Sequence, residues 1–345
     1  MFSRSANLTP RETFLAAAAA INLALVLVLS FLPAVPKRET NSINGINVQT
    51  AKYIDLTHTV RPGMPLWGAF KQPKFGAAVA ASPMDGFIES GQEFTYANHG
   101  FVAGSYSVAT DQIGTQLDAP AHWNEWGSTL SDLPATVALR PLIVIDITAK
   151  VAKDAGYHAT VEDILDWEAA HGQIPPGSAV FFRSGWALRW SEYAASGTMP
   201  DKFPGVALET LKFLHLNRSI LVHGHEPLDT DMTPSLEGEA WLMHHDYLQV
   251  EGAANLHLVP PSGCLVSIGF AKLAGAAGGM ARLVAICPPD APFGTTIEQA
   301  PGAPLPRQPY PLRRGGDGVL KPSPGASPTA YCAEGTAALG CPMPL

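Results

Sequence analysis

The sequence predicts an α/β fold, or an α+β fold with a mixed sheet, for one folded domain that covers residues 48–300. Two observations support this class. Short runs of β-branched and aromatic residues recur along the chain, and segments with helical periodicity and capping residues lie between them. No Pro/Gly-rich linker interrupts this alternation, so we expect a single folded unit.

Five segments are predicted as buried strands because they are short apolar runs: Leu142 to Ile147, Ala179 to Phe182, Ser219 to His223, Gly263 to Ile268 and Arg282 to Cys287. Three segments are predicted as helices from their apolar spacing. These are Val161 to Ala170, with Thr160 as N-cap and Gly172 beyond its end, Val206 to Leu216 after Pro204-Gly205, and Trp241 to about Val250.

The composition favours small-molecule chemistry. The chain has 345 residues and a net charge of −8, and it contains no basic block of the kind that neutralises phosphates, so no nucleic-acid partner is expected. With 46% apolar and 15% charged residues, the chain can bury a large core, which excludes a mostly disordered protein. The expected partner is a small-molecule substrate.

Both ends differ from the middle. Leu15 to Val35 is an almost unbroken apolar run, so residues 1–40 are predicted to be a signal peptide or an N-terminal membrane anchor. Either alternative implies export to a periplasmic or extracellular location, with any membrane contact made only through this segment. Residues 301–345 are rich in Pro, Gly, Ala and Ser and are predicted to be a disordered tail.

The four cysteines do not suggest a disulfide-dense fold. Cys332 and Cys341 lie in the tail and could form a disulfide in an oxidising compartment, or remain unpaired. Cys264 and Cys287 lie in strand-like apolar runs and are expected to be core residues rather than nucleophiles.

The segment from Asp111 to Trp123 carries the most chemical information. Every polar residue after Asp111 except Thr115 has an even number, namely Gln112, Gln116, Asp118 and His122, and Pro120 excludes a continuous helix. An extended backbone would direct these four side chains to one face, where a carboxylate, two amides and an imidazole could hold a divalent cation. In the alternative interpretation, the glutamines cross-link strands and Asp118 caps a turn.

The same segment resembles the signature His-x-Gly-Thr-His-x-Asp-x-Pro-x-His of the cyclase-like metal-dependent hydrolases, a family that includes kynurenine formamidase (arylformamidase) and isatin hydrolase. Gly114, Thr115, Asp118, Pro120 and His122 match in register. Further matches follow in family order between Tyr53 and Pro288. The resemblance implies a swivelling β/β/α fold with a mixed sheet or barrel and flanking helices, hydrolysis of C–N bonds in amides or cyclic amides, and a homodimer.

Two family histidines are replaced here by Gln112 and Gln116, which are weaker metal ligands than imidazole. The resemblance implies that these glutamines act as ligands of Mn²⁺ or Zn²⁺ together with Asp118, with either His244 or His245, and with Glu251. We favour retention of the metal, because Asp118 and His122 remain. Loss of the metal would leave a non-catalytic member that binds a small carboxylate or aromatic ligand. A lyase or lactone hydrolase on the same scaffold is a third hypothesis.

By the same resemblance, His122 is the general base and proton shuttle for water that attacks the substrate. Trp67 and Trp123 are expected to form aromatic walls of a substrate pocket, and Asp231 matches an acidic position at its mouth. His223 and His225 could form a second metal site, although a hydrogen-bonded cluster at a strand end is the default interpretation.

Overall fold

The computed structural model describes residues 42–43, 45–196 and 200–297, with residues 312–314 and 320–322. The chain divides into two compact units, residues 1–45 and 46–345; Ser42–Ile43 lies in the first, and all other helices and strands lie in the second. The apolar run from Leu15 to Val35 and the pair Cys332 and Cys341 lie outside the described residues. Within the described ranges, no helix is long and apolar enough to cross a membrane.

The strands are short, and most belong to one sheet. In chain order they are β1 Ser42–Ile43, β2 Ile46–Asn47, β3 Lys52–Asp55, β4 Lys74–Ala77, β5 Gly104–Ser107, β6 Gln116–Asp118, β7 Leu139–Asp146, β8 His158–Ala159, β9 Ala179–Arg183, β10 Gly205–Val206, β11 Val222–His225, β12 Leu248–Glu251, β13 Cys264–Phe270, β14 Gly278–Cys287, β15 Leu312–Arg314 and β16 Leu320–Pro322. The helices are α1 Tyr96–His99, α2 Thr148–Val151, α3 Val161–His171, α4 Trp190–Ser196, α5 Leu208–Lys212 and α6 Glu237–His244.

The central sheet closes into a barrel. Its strand order is β13-β7-β9-β11-β12-β6-β14, and β14 pairs again with β13, while β3 extends from the outer edge of β14. Strands β7, β9, β11 and β12 are parallel, and β6, β13 and β14 pair with their neighbours in antiparallel fashion. The predicted mixed α/β class is therefore confirmed.

Side chains alternate between the inside and the outside of the barrel, as the pleat of a strand requires. Leu117, Phe181 and Val250 belong to the apolar cluster inside. Val180 and Phe182, the neighbours of Phe181, join a second cluster outside, where they pack with residues of α3, α5 and α6 such as Ile164, Leu211 and Leu242. The outer wall of the barrel is therefore apolar where these helices cover it.

The helix predicted from Trp241 to Val250 is wrong in its second half. Helix α6 begins earlier, at Glu237, and ends at His244, and the chain then forms strand β12. Asp246 adopts a positive φ of 61°, which ends helical geometry between the two elements. The alternating residues of β12 pair with β11 and β6, and this sheet pairing outweighs their helical spacing.

The other helix predictions hold more closely. Helix α3 begins after Thr160, which forms a capping box with Asp163, and Gly172 follows its end. The predicted helix from Val206 to Leu216 is shorter at its start and irregular at its end, because β10 occupies Val206 and a π-type turn follows α5 over Phe213–Asn217. Side chains of this segment still belong to the apolar cluster outside the barrel, despite the changed helix boundaries.

Cys264 and Cys287 are buried, as expected for core residues, and they are also joined by a disulfide. The bond connects β13 and β14, the two strands whose pairing closes the barrel. Neither cysteine is available as a nucleophile, in agreement with the sequence-based expectation.

Candidate metal centre

Three buried carboxylates converge on the outer wall of the barrel. Asp118 lies on β6, Glu251 on β12 and Glu239 in the first turn of α6, and each is at most 3% exposed. One oxygen from each carboxylate lies within 4.8 Å of the others. This is the single group of three or more candidate metal ligands among the described residues.

Strand register brings two of these carboxylates together. Gln249 pairs with Asp118 and Glu251 pairs with Gln116 across the antiparallel strands β12 and β6. Because Leu117 points into the barrel, its neighbours Gln116 and Asp118 point outward. Outward-facing Glu251 then meets Asp118 on the same surface.

The third carboxylate depends on how α6 begins. Asp231 accepts a hydrogen bond at Oδ2 from the backbone N–H of Gly238, 2.8 Å away, and at Oδ1 from the N–H and hydroxyl of Thr233. These bonds fix the loop before α6 and the first turn of the helix, including Glu239. Asp231 lines the cavity, but both of its oxygens are engaged by the chain, so the structure gives it this positioning contact rather than a free carboxylate.

The hydrogen bonds of the three carboxylates leave two oxygens free. Glu251 accepts from Gln116 (2.8 Å) and from Gln249 (3.0 Å), and Asp118 accepts at Oδ2 from Gln249 (3.1 Å). Asp118 Oδ1 and Glu239 Oε2 are buried and have no hydrogen-bond partner in the described part of the chain. Buried anionic oxygens require compensation, and a hard divalent cation supplies it, so these residues fit a metal ion.

Burial and mutual repulsion raise the pKa values of the carboxyl groups in the cluster. Burial, assisted by the charge of Glu239, raises the pKa of Asp118 to about 7. Burial and repulsion from Asp118 and Glu239 likewise raise the pKa of Glu251 well above its usual value. Asp229, which lines the adjacent cavity, has its pKa raised to about 7 by burial and by the same carboxylates. A bound cation would favour the ionised forms instead.

His122 lies beside Glu239. Nε2 of Gln112 donates to Nδ1 of His122 (2.8 Å), so a neutral His122 ring carries its proton on Nε2, which lies 3.4 Å from Glu239 Oε1. Nε1 of Trp123 donates to the same oxygen across 2.9 Å. Burial alone would lower the pKa of His122, but the hydrogen bond to Glu239 and the charges of Asp118 and Glu239 raise it above its ordinary value.

The two motif glutamines adjoin the cluster, and their amide nitrogens contact it. Gln116 donates to Glu251 and Gln112 to His122, while the Oε1 atom of Gln112 accepts from the hydroxyl of Thr110. In this structure both glutamines therefore hold neighbouring groups in place. Their assignment as metal ligands through the amide oxygen remains a prediction.

His244 and His245 do not join the cluster. Both side chains are exposed, and their Nδ1 atoms lie 2.7 Å from the carbonyl oxygens of Ala240 and Trp241 on their own helix. Glu239, which sequence reasoning missed, takes the place expected for one of them. Its helix was predicted to start at Trp241, so Glu239 was outside every predicted element, although acidic residues in a first helical turn are common.

A cavity of about 560 Å³ opens beside the cluster. Gln112, Gln116, His122, Glu239 and Glu251 line its polar side. Aromatic and apolar residues line the remainder, among them Leu66, Trp67, Phe70, Trp123, Phe203 and Leu228. Trp67 and Trp123, which were expected to form aromatic walls of a substrate pocket, both line this cavity. Its volume is typical of a small-molecule site.

His223 and His225 are buried on β11. His225 Nε2 lies 3.6 Å from Glu251 and 3.1 Å from the hydroxyl of Thr230, whereas both ring nitrogens of His223 lack partners among the described residues. Burial lowers the pKa of His223 well below its usual value. The two histidines are not in a group of metal ligands in the described chain, so the default interpretation of a strand-end cluster describes them better.

Comparison with known proteins identifies the family of this chain. A family model described as "Putative cyclase" matches residues 54–232. Isatin hydrolase from Roseibium aggregatum is 28% identical over 202 residues, which cover 54% of this chain and 76% of that protein. The solved structure of isatin hydrolase A from Labrenzia aggregata, bound to benzyl benzoate, has a TM-score of 0.60 at 24% identity and covers 71% of this chain and 96% of its own. Isatin hydrolase A from Ralstonia solanacearum has a TM-score of 0.59 at 22% identity, covering 83% and 100%.

Proposed function

The chain belongs to the cyclase family, and on that basis we propose that it is a metal-dependent hydrolase that uses water to open a C–N bond in a small aromatic amide or cyclic amide. One observation carries this proposal. Asp118, Glu239 and Glu251 converge at the wall of an aromatic-lined cavity, and two of their buried oxygens have no partner in the described chain. The similarity to isatin hydrolase supports the same class of reaction.

The three carboxylates would hold the ion, which the oxygen-rich donor set suggests is Mn²⁺ rather than Zn²⁺. When bound, a divalent cation supplies Lewis-acid polarisation of the substrate carbonyl and makes water more acidic. Glu239 divides its two oxygens between tasks. Oε1 faces Trp123 and His122, whereas Oε2 is free to contact the cation.

His122 is the proposed general base. Its Nε2–H faces Glu239, so a proton taken up at Nδ1 would give an imidazolium that the carboxylate stabilises. Gln112 occupies Nδ1 in this structure and also lines the cavity, so it must yield that position to water. The proton held at Nδ1 is then available for the leaving nitrogen of the substrate.

The cavity wall supports an aromatic substrate. Trp67 and Phe70 pack edge to face, with ring centroids 5.2 Å apart, and Trp123 lies on the same cavity as His122. A flat ring seated against these side chains would bury apolar surface and leave its amide group towards the carboxylates. We assign substrate contact to Trp67 and Trp123 on this basis.

The proposal is tested by metal analysis and by hydrolysis assays on N-formyl arylamines and cyclic aromatic amides. We expect about one divalent cation per site in the wild-type protein and loss of both metal and activity in Asp118→Ala and Glu239→Ala. Glu237→Ala is a matched control, because Glu237 is an exposed acid in the same helical turn as Glu239. A wild-type protein that binds aromatic ligands without metal and without turnover would instead be a non-catalytic member of the family.

We also propose that the protein is exported and acts in an oxidising compartment, either released or anchored through residues 1–40. The disulfide between Cys264 and Cys287 supports this location, because such bonds persist mainly outside the reducing cytosol. Cell fractionation with an antibody against the folded domain would test it. Recovery of the protein in the cytosolic fraction, with both thiols free, would contradict it.

A homodimer is the proposed assembly. Strands β4 and β5 pair in antiparallel fashion and are exposed at every residue, and Phe75 and Tyr106 pack edge to face on them with ring centroids 4.9 Å apart. This exposed aromatic pair supports a second copy of the chain as its partner. Light scattering at micromolar concentration should give twice the chain mass, and Tyr106→Lys should shift it towards the monomer.

A further inference from the structure

We propose that Thr230 and Gln249 are positioning residues of the metal centre: the hydroxyl of Thr230 orients the Gln249 amide, which holds Asp118 and Glu251 at the separation that a cation requires. This inference rests on the proposed function. It assigns a role to two residues that neither the motif nor the cavity lining singles out.

Gln249 lies between the two carboxylates and is fully buried. Its Nε2 atom donates to Asp118 Oδ2 across 3.1 Å and to Glu251 Oε1 across 3.0 Å. Both protons of one amide group are thus used on two groups that repel each other. The amide offsets part of this repulsion and leaves Asp118 Oδ1 unoccupied for another partner.

An amide holds carboxylates only when its nitrogen faces them. Rotation of the Gln249 amide by half a turn would place its oxygen against Asp118 and Glu251, where it would repel both. Thr230 opposes this rotation, because its hydroxyl donates to Gln249 Oε1 across 2.6 Å. The hydroxyl has a single proton, and this short contact uses it on Gln249, so the amide orientation and the threonine rotamer depend on each other.

A second polar group lies beside Thr230. Its Oγ1 atom lies 3.1 Å from Nε2 of His225. His225 Nδ1 lies 3.0 Å from the carbonyl oxygen of Pro227, which can only accept, so a neutral His225 ring carries its proton on Nδ1 and offers Nε2 only as an acceptor. Gln249 Oε1 is the closer of the two acceptors beside the hydroxyl, and the chain of hydrogen bonds runs from Thr230 through Gln249 to Asp118 and Glu251.

Outer hydrogen-bond partners of metal ligands commonly change metal affinity by about 10- to 100-fold when they are removed. Thr230→Val removes the hydroxyl and keeps the shape of the side chain. Thr230→Ser keeps the hydroxyl. Gln249→Met removes both amide protons at similar volume and tests the same relay from its other member.

Thr210→Val is the matched control. Thr210 is as fully buried as Thr230, and its hydroxyl also makes one hydrogen bond, to the carbonyl oxygen of Ala159 across 2.9 Å. It lies in α5 and does not line the cavity. Both valine variants therefore lose one buried hydroxyl, but only one of them loses a contact to the relay.

The experiment measures Mn²⁺ affinity by calorimetry and the free energy of unfolding in urea with chelator, using the full chain. We expect Thr230→Val and Gln249→Met to bind Mn²⁺ at least tenfold more weakly than wild type, Thr230→Ser to bind within about threefold of wild type, and Thr210→Val to keep its affinity. Unchanged affinity in both Thr230→Val and Gln249→Met, or an equal loss in Thr210→Val, would overturn the inference alone. A wild-type protein that binds no divalent cation would overturn the proposed function as well.

Discussion

Gln116 and Glu251 form a directly opposed pair on strands β6 and β12, and Nε2 of Gln116 donates to Oε2 of Glu251 across 2.8 Å. A glutamine thus stands where the family motif has a histidine, and its N–H supports a neighbouring ligand. The hydrogen bond restrains one oxygen of Glu251. The candidate ligands of the cation are therefore the three carboxylates rather than Gln116.

Restoring imidazole at this position should change metal selectivity. Gln116→His introduces a nitrogen ligand next to Glu251, and nitrogen suits Zn²⁺ better than it suits Mn²⁺. We expect the ratio of Zn²⁺ to Mn²⁺ affinity to rise by about tenfold or more relative to wild type, measured by competition with a chromophoric chelator. Gln92→His, on an exposed loop position, controls for non-specific Zn²⁺ binding. An unchanged ratio would show that position 116 does not face the ion.

Removal of His122 should separate chemistry from metal binding. His122→Ala deletes the proposed base but none of the three carboxylates, so turnover should fall by about 10²- to 10⁴-fold while metal content is kept. Steady-state kinetics and elemental analysis on the same preparation check both parts. His244→Ala, on an exposed site of α6, should retain wild-type turnover. Wild-type turnover in His122→Ala would exclude the assigned role.

Metal binding should depend on pH. In the metal-free protein, burial and the charge of Glu239 raise the pKa of Asp118 to about 7, so protons compete with the cation. Apparent Mn²⁺ affinity should therefore increase between pH 5.5 and 7, by up to about tenfold per pH unit for each proton displaced. Calorimetry at several pH values, in buffers of different ionisation enthalpy, counts the protons released. A flat profile would show that Asp118 is already ionised without metal.

The raised pKa of Asp118 should also make the metal-free protein less stable as the pH rises, although its metal affinity increases. A carboxyl group whose folded pKa is raised contributes stability below its unfolded pKa, near 4, and this contribution is lost as the pH rises through 7. The difference in free energy of unfolding between Mn²⁺-saturated and metal-free protein should therefore grow from pH 5 to pH 7.

Loss of the disulfide should destabilise the barrel without affecting the site. Cys264 and Cys287 are 23 residues apart, and closure of a loop of this size contributes about 3 kcal/mol through the unfolded state. The double variant Cys264→Ala/Cys287→Ala should show that decrease in urea unfolding, with Mn²⁺ affinity within about twofold of wild type. Neither cysteine lines the cavity. A decrease below 1 kcal/mol would show that strand pairing alone closes the barrel.

Local pattern was sufficient to predict much of the barrel. The apolar runs at β7 and β9 are recognisable in the sequence, because strands buried on both faces are continuous in hydrophobicity, whereas in β14 every second residue is buried. Thr160 marked the start of α3 through its capping chemistry. Strand β12 was missed because its four residues also fit a helical spacing, and its partners β6 and β11 lie far away in sequence.

The site was predictable only where it lies within one segment. Asp118 and His122 lie in the motif; Asp118 belongs to the carboxylate cluster, and His122 adjoins it. The even-number argument applies to Gln116 and Asp118 on β6, but Gly114 turns at a φ of 69° and residues Pro120–His122 form a 3-10 turn. His122 reaches the cluster through that turn. Glu239 and Gln249 come from other elements, so only the tertiary fold identifies them.

Because the acids lie on the outside of the barrel, the choice of donor atoms in the site is independent of how the apolar interior is filled. Residues that point inwards must fill a fixed apolar volume, whereas Gln116, Asp118 and Glu251 point away from it, and Gln116 and Glu251 line the cavity. Donor atoms can therefore be exchanged on this wall, nitrogen for oxygen, without repacking the interior. A few substitutions on this wall could therefore change which ion the protein prefers, while the residues of the apolar core stay the same.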